Sequence, residues 1–200
     1  MDFGLHPSKK LQKLFTEKPY QIQEPEKSKI IFLGRDANWD INIEKDPLFP
    51  EFEEYLKNGI SYWQTHGYHT PMLSPYYKGD GKTYHRNFKK IGFTSDNAEA
   101  ICFLELLKFP TYGMSSKFHK EYIKMILDEN NKDHLNRIKK LQQNGKVTFF
   151  IPDGLRKYID ELQLFPSNAN NVIYHTHFSN AISNEEITRI RLYCISILKN

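Results

Sequence analysis

Cysteine is scarce in this chain. Of its 200 residues only Cys102 and Cys194 are cysteines, each inside an apolar stretch. Two thiols cannot build a four-cysteine zinc site or an iron–sulfur cluster, and their apolar surroundings mark them as buried and reduced. Long apolar runs are missing as well. No segment approaches the ~20 consecutive apolar residues that span a bilayer, so no membrane partner is expected. The amino end, MDFGLHPSKKLQKLF, lacks the apolar core of a signal peptide, and a cytoplasmic setting is the expectation. There is no internal repeat, no low-complexity tract and no strong excess of one charge. The formal charge is +4 and the isoelectric point about 8.8, a balance that permits a nucleic-acid partner without requiring one.

What the chain does have is aromatic residues, 14% of the total, with 12 tyrosines and 14 phenylalanines. Most such side chains fill cores; those interleaved with Lys and Arg also suit base stacking and backbone contact. The length favours one domain with a sizeable core. Residues 1–28 read as a short helix around Leu11, Leu14 and Phe15 followed by an extended arm, and residues 29–200 as a single α/β domain.

Within that domain the apolar runs at 30–33, 100–107, 147–151 and 172–174 predict strands. Helical spacing predicts helices over 50–57 (capped by Gly59), 84–91, 119–143 and 155–162, and a last one from Ser183. Residues 60–83, rich in Gly, Pro, Tyr and His, read as a long loop. Ser183 with Glu186 has the form of a capping box, and Ile182 with Ile187 that of a hydrophobic staple. Strands alternating with helices imply a mainly parallel sheet.

Two strand ends carry the chemistry. IIFLGRDANWD (30–40) offers the carboxylate Asp36 just after Gly34, with Asp40 as a rival; NVIYHTHFSNAIS (171–183) offers the imidazoles His175 and His177. Ends of this kind line the crevice of open parallel sheets, so an acid and a histidine from distant parts of the chain are expected to face one pocket. Asp36 also fits a turn aspartate beside a glycine. A His-x-His pair alone is weak evidence for a metal site, and no metal is expected. Glu105 sits inside an apolar strand. Such a carboxyl either pairs with a Lys or Arg or carries a raised pKa.

Three segments in order, GRDANW (34–39), FLELLKFPT (103–111) and HTHFSNA (175–181), resemble the motifs of the uracil-DNA glycosylase superfamily over roughly residues 29–198. The resemblance implies a three-layer α/β/α domain on a mainly parallel four-stranded sheet, acting on DNA as a monomer. The implied reaction is hydrolytic removal of a damaged, mismatched or modified base, with no cofactor. It implies that Asp36 stabilises the cationic sugar and orients water, and that His175 hydrogen-bonds the departing base, with His177 as the alternative because Thr176-His177 in place of Pro-Ser can shift which imidazole reaches the pocket. It also implies base contacts from Glu105, Asn38 and His177, and the rings of Trp39, Tyr68 and His69 are candidates to stack on an extruded base. DNA contacts would come from Arg86 and Lys89 on phosphates and from Phe178 or Ile182 as a wedge. The chain departs from the family at Glu105, where an Asn commonly reads uracil, at Asn38, where many members have a Tyr, and at Thr176-His177, in place of Pro-Ser. These departures point away from plain uracil specificity. They also leave open a non-catalytic nucleic-acid or nucleotide binder on the same fold, or a hydrolase of a small molecule.

Overall fold

The computed structural model describes residues 2–199. In chain order its elements are β1 (Gly4–Leu5), α1 (Lys9–Glu17), β2 (Gln21–Ile22), β3 (Ile30–Gly34), β4 (Ala37–Asn38), α2 (Phe49–Lys57), α3 (Gly59–His66), α4 (Lys82–Lys89), β5 (Ile101–Glu105), β6 (Pro110–Tyr112), α5 (His119–Ile126), α6 (Glu129–Gln143), β7 (Thr148–Pro152), α7 (Arg156–Glu161), β8 (Val172–His175) and α8 (Asn184–Lys199).

The four expected strands all form, and β5, β3, β7 and β8 lie side by side in that order, all parallel. The sheet has a fifth member that the sequence reading lacks. The extended arm folds back as β2 and pairs antiparallel with the outer edge of β5, Gln21 opposite Phe103 and Ile22 opposite Cys102. A covered edge cannot recruit another chain. A three-stranded ribbon, β1-β6-β4, stands beside the main sheet.

Side chains alternate across a strand, and here both faces are apolar. Ile30, Phe32, Ile101, Phe103 and Phe150 meet one helical layer, from α1, α2, α3, α4 and α8. Ile31, Leu33, Cys102, Leu104, Phe149 and Ile151 meet the other, from α5, α6 and α7. Burial on both faces is why the strands read as continuous apolar runs rather than alternating ones. Both cysteines are buried free thiols. Among the described residues no helix is long and apolar enough to cross a membrane.

Three helical expectations need correction. Gly59 does not cap α2; it opens α3, because the preceding Asn58 side chain accepts from Ser61 N at 3.1 Å and restarts the helix. The segment 60–83 therefore holds most of α3 and a short 3-10 turn at Pro71–Leu73 instead of a continuous loop. The single long helix over 119–143 is two. Asp128 leaves the helical conformation and its carboxylate accepts from Asn130 N at 2.9 Å, an N-cap that stops α5 and starts α6. At α8, Ser183 Oγ accepts from Glu186 N at 3.1 Å. The Glu186 carboxylate does not close the box but reaches Thr176, accepting from its N at 2.7 Å and from its hydroxyl at 2.8 Å.

Phe32 is the centre of the first core. Its ring lies 5.0 Å from Phe88, 5.2 Å from Phe150, 5.6 Å from Phe103 and 6.1 Å from Phe178. Truncating such a ring removes its burial and leaves a cavity, so Phe32→Ala is expected to cost ~3–5 kcal/mol. Tyr76→Ala, at a side chain 79% exposed, is expected to stay within about 0.5 kcal/mol of the native protein. Urea midpoints of the two variants check both values.

Candidate active site

The chain steps from β3 to β5 on one side and then crosses to β7 on the other. That reversal opens a crevice at the carboxyl ends of the strands. A cavity of about 630 Å³ lies there, walled by Arg35 and Asp36 beyond β3, Glu105 at the end of β5, Gly154 beyond β7 and His177 beyond β8.

Asp36 is gripped at both oxygens. Thr111 of β6 donates its hydroxyl to Oδ2 at 2.6 Å, and Ser115 donates to Oδ1 at 2.7 Å. The small ribbon holds the donors in place: Ala37 and Asn38 pair in parallel with Pro110 and Thr111, and Trp39 N donates to Thr111 O at 2.9 Å. Burial raises the Asp36 pKa, and the two hydroxyls and the nearby Arg35 oppose that rise. Arg35 itself packs its guanidinium over Tyr158 at 5.1 Å and Tyr122 at 5.7 Å.

Glu105 faces Gly34 across the parallel register. A Cβ on residue 34 would lie 2.0 Å from Glu105 Oε2, so the glycine is what gives the carboxyl its place in the wall. Among the described residues no cationic side chain forms an ion pair with Glu105. The alternative of a structural Lys or Arg partner is therefore not met. Burial first, and the neighbouring Asp36 charge second, push its pKa well above the usual carboxylate range.

Of the two histidines, only His177 lines the cavity. His175 is the last residue of β8, 1% exposed, stacked on Phe178 at 4.6 Å, and its Nδ1 donates to Thr176 O at 2.8 Å. It does not line the cavity, whereas His177 does. The chain turns away from the sheet after His175, with Thr176 anchored by Glu186, and this carries His177 over the strand ends. Ser179 N donates to His177 Nδ1 at 3.1 Å, so the neutral ring carries its proton on Nε2. Burial, with help from Arg35, lowers its pKa, which keeps it neutral at pH 7.

The other candidates divide. Asn38 lines the cavity and its amide donates to Gly113 O. Trp39 shows an edge to the cavity, while its ring packs on Phe52 at 5.3 Å and Phe15 at 6.4 Å. Its indole Nε1 is buried without a hydrogen-bond partner. Tyr68 packs against Tyr62 and His66 and does not reach the cavity. His69 is 2% exposed and touches the cavity only through His85, whose Nδ1 is 2.9 Å from its Nε2. Phe178 is fully buried in the Phe32 core, and Ile182 packs on that same core, so neither stands out as a wedge. Arg86 and Lys89 are exposed on α4.

The helical spacing over 84–91 sets Phe88 and Ile91 inward, as the structure has them, but did not single out Tyr84 and His85 as cavity residues. Tyr84 and His85 line the cavity, Phe88 enters the core, and Asn87 Nδ2 donates to Phe178 O at 2.6 Å and Asn180 O at 3.3 Å, tying down the His177 loop. The spacing of Tyr84 and His85 to Phe88 was the available signal, since residues three and four apart share a helix face. Among the described residues no group of three or more His, Cys, Asp or Glu is placed to hold a metal ion. Compared with protein-family models, with curated proteins and with solved structures, the chain gives no match.

The Glu105 carboxyl ties stability to pH. Its folded pKa is raised, so the native state holds this proton where the unfolded chain has released it. Stability falls as pH climbs from the ordinary carboxylate range towards the raised value. Glu105→Gln keeps the shape and has no proton to lose. Its melting temperature relative to the native protein is expected to be lowest near pH 4.5 and to rise steadily towards pH 8.5, by about 2–4 °C for each kcal/mol recovered. Thermal melts across that range check the slope; parallel curves contradict it.

Proposed function

We propose that this chain hydrolyses the N-glycosidic bond of a base in DNA. The observation that carries the reading is the meeting of Asp36, Glu105 and His177 at one strand-end cavity, each with a different proton arrangement. The resemblance to the uracil-DNA glycosylase superfamily supports it. All three segments that bear the resemblance contribute to this wall, the first through Asp36, Asn38 and Trp39, the second through Phe103 and Glu105, the third through His177. The four parallel strands with helices on both faces are compatible with that fold.

In this reading a nucleotide is flipped out of the duplex, at a cost of a few kcal/mol that is least at damaged or mismatched pairs. The bond from C1′ to the base nitrogen breaks, and the electron pair leaves with the base. The Asp36 carboxylate, fixed by Thr111 and Ser115, faces the cationic sugar and directs water to C1′; as the C1′–O bond forms the water's O–H bond breaks, and its proton neutralises the departing base anion. His177 donates from Nε2 to the oxygen on which the base accumulates charge. The role assigned to His175 by resemblance passes to His177. Arg86 and Lys89 contact phosphates from the outer face of α4.

Glu105 bears on which base is taken. With its proton it donates to a carbonyl; without it, it accepts from an amino group or a ring N–H. Asn38 leaves room where a bulkier ring would exclude a substituent. Uracil is accordingly not expected to be the best substrate, and Glu105→Asn is expected to move preference towards it. A mismatched buried polar edge costs ~1–3 kcal/mol, enough to reorder a substrate panel.

The test uses labelled duplexes carrying uracil, hypoxanthine, xanthine or alkylated bases, with alkali to cut abasic sites. Asp36→Asn is expected to retain DNA binding and lose at least ~100-fold in rate, and His177→Ala about 100-fold. His175→Ala is expected to act mainly on thermal stability. Full rates in both Asp36→Asn and His177→Ala would remove their assigned roles. Salt-sensitive DNA binding with no base released from any duplex would instead favour the non-catalytic binder.

A further inference from the structure

We infer that His85 is a base-reading residue of this cavity and that His69, directly behind it, governs which hydrogen bond His85 offers. The inference rests on the reading that the cavity takes a nucleobase, and extends it to two residues outside the three segments that suggested it.

His85 lies on the inner face of α4, in the cavity wall. Its Nδ1 is 2.9 Å from Nε2 of His69. Its own Nε2 has no hydrogen-bond partner among the described residues and is not among the buried unpaired atoms. It is therefore the ring atom left for a ligand. His69 cannot move away. Its ring is nearly parallel to Phe103 at 5.9 Å and packs on Phe88 at 4.5 Å and Trp63 at 5.5 Å.

Both rings are neutral. Burial lowers His69 well below its ordinary value, with His85 and the charge of Lys89 adding to the effect, and burial pulls His85 down to about 3. Two neutral imidazoles joined by one hydrogen bond have two arrangements. In one, His69 donates from Nε2, and His85 carries its proton on Nε2 as a donor to the cavity. In the other, His85 donates from Nδ1, its Nε2 is a bare acceptor, and His69 carries its proton on Nδ1. Each ring carries one proton in either arrangement, so neither buries a charge; the change passes the shared proton from His69 Nε2 to His85 Nδ1, releases the Nε2 proton of His85 to the cavity and takes one up at Nδ1 of His69. The chemical class matched is a heterocyclic base whose edge sets a carbonyl or ring nitrogen beside an N–H, with Glu105 supplying a second adjustable group in the same wall.

The test titrates the native protein, His85→Phe, His85→Gln and His69→Phe with free hypoxanthine and free adenine at pH 7, and records histidine ¹⁵N spectra with and without each base. Both phenylalanine variants keep ring volume. The native protein is expected to bind both bases with affinities within tenfold of each other and to show His85 ¹⁵N shifts that differ between them. His85→Phe is expected to weaken binding at least tenfold. His85→Gln, which has both a donor and an acceptor, is expected to stay within a few fold. His69→Phe is expected to hold His85 in one tautomer and spread the two affinities beyond tenfold. Unchanged affinity in His85→Phe, identical His85 signals with both bases, or no binding of either base by the native protein overturns the inference. Binding of free base with no release of any base from DNA keeps the inference and removes the glycosylase reading.

Discussion

The open end of the sheet depends on one register. Gly34 sits opposite Glu105 in the parallel pairing of β3 with β5, and only the absence of a side chain at 34 lets the carboxyl occupy the wall. A slip of one residue would turn every strand side chain to the other face. It would place Leu33 or Arg35 against Glu105 and send Phe32 out of its aromatic cluster. The apolar alternation that fills two cores is thus also what sets two carboxyls beside each other. Asp36 follows directly, because the backbone leaves β3 two residues earlier and is then caught by the hydroxyls of Thr111 and Ser115.

The cavity is poor in fixed charge. Arg35 is the one lysine or arginine among its lining residues, and its guanidinium rests on two tyrosine rings. Glu105 is pushed towards its protonated form, while His177, His85 and His69 are pushed towards their neutral ones. Hydrogen bonds dominate such a wall, and they gain strength in a low-dielectric setting. A polar heterocycle with directional edges suits it better than an ion does.

The parallel strands were legible because apolar runs bounded by Gly, Pro and polar residues have few other uses. Asp36 and Glu105 were legible for the same reason, as carboxyls at or inside strands with no obvious partner. Which of the two histidines faces the cavity was not. His175 and His177 are two apart, and a continuing strand would aim both the same way; the strand ends at His175 instead, and the bond from Thr176 to Glu186 bends the chain. That partner lies ten residues on, inside what reads locally as a self-contained capping box. The break between α5 and α6 was hidden because apolar spacing runs on through Leu127 while a single Asp128 carboxylate ends the helix. Phe178 looked like a projecting wedge because it lies in the loop after His175; four rings close on it, His175 nearby and Phe32, Tyr84 and Phe88 from β3 and α4, which no local pattern brings together.

Helix α4 divides the labour of the molecule in an unusual way. Its outer side shows Arg86 and Lys89 to solvent, its inner side supplies Tyr84 and His85, and Asn87 clips it to the loop that carries His177. The carboxyls, by contrast, belong to the sheet. Under the proposed function, the groups assigned to phosphates and part of what is assigned to the base travel together on about two helical turns, while Asp36 and Glu105 stay with the sheet. A lineage, or an engineer, could vary positions 84, 85, 86 and 89 and alter recognition, provided Asn87 and Phe88 stay to hold the His177 loop and the core.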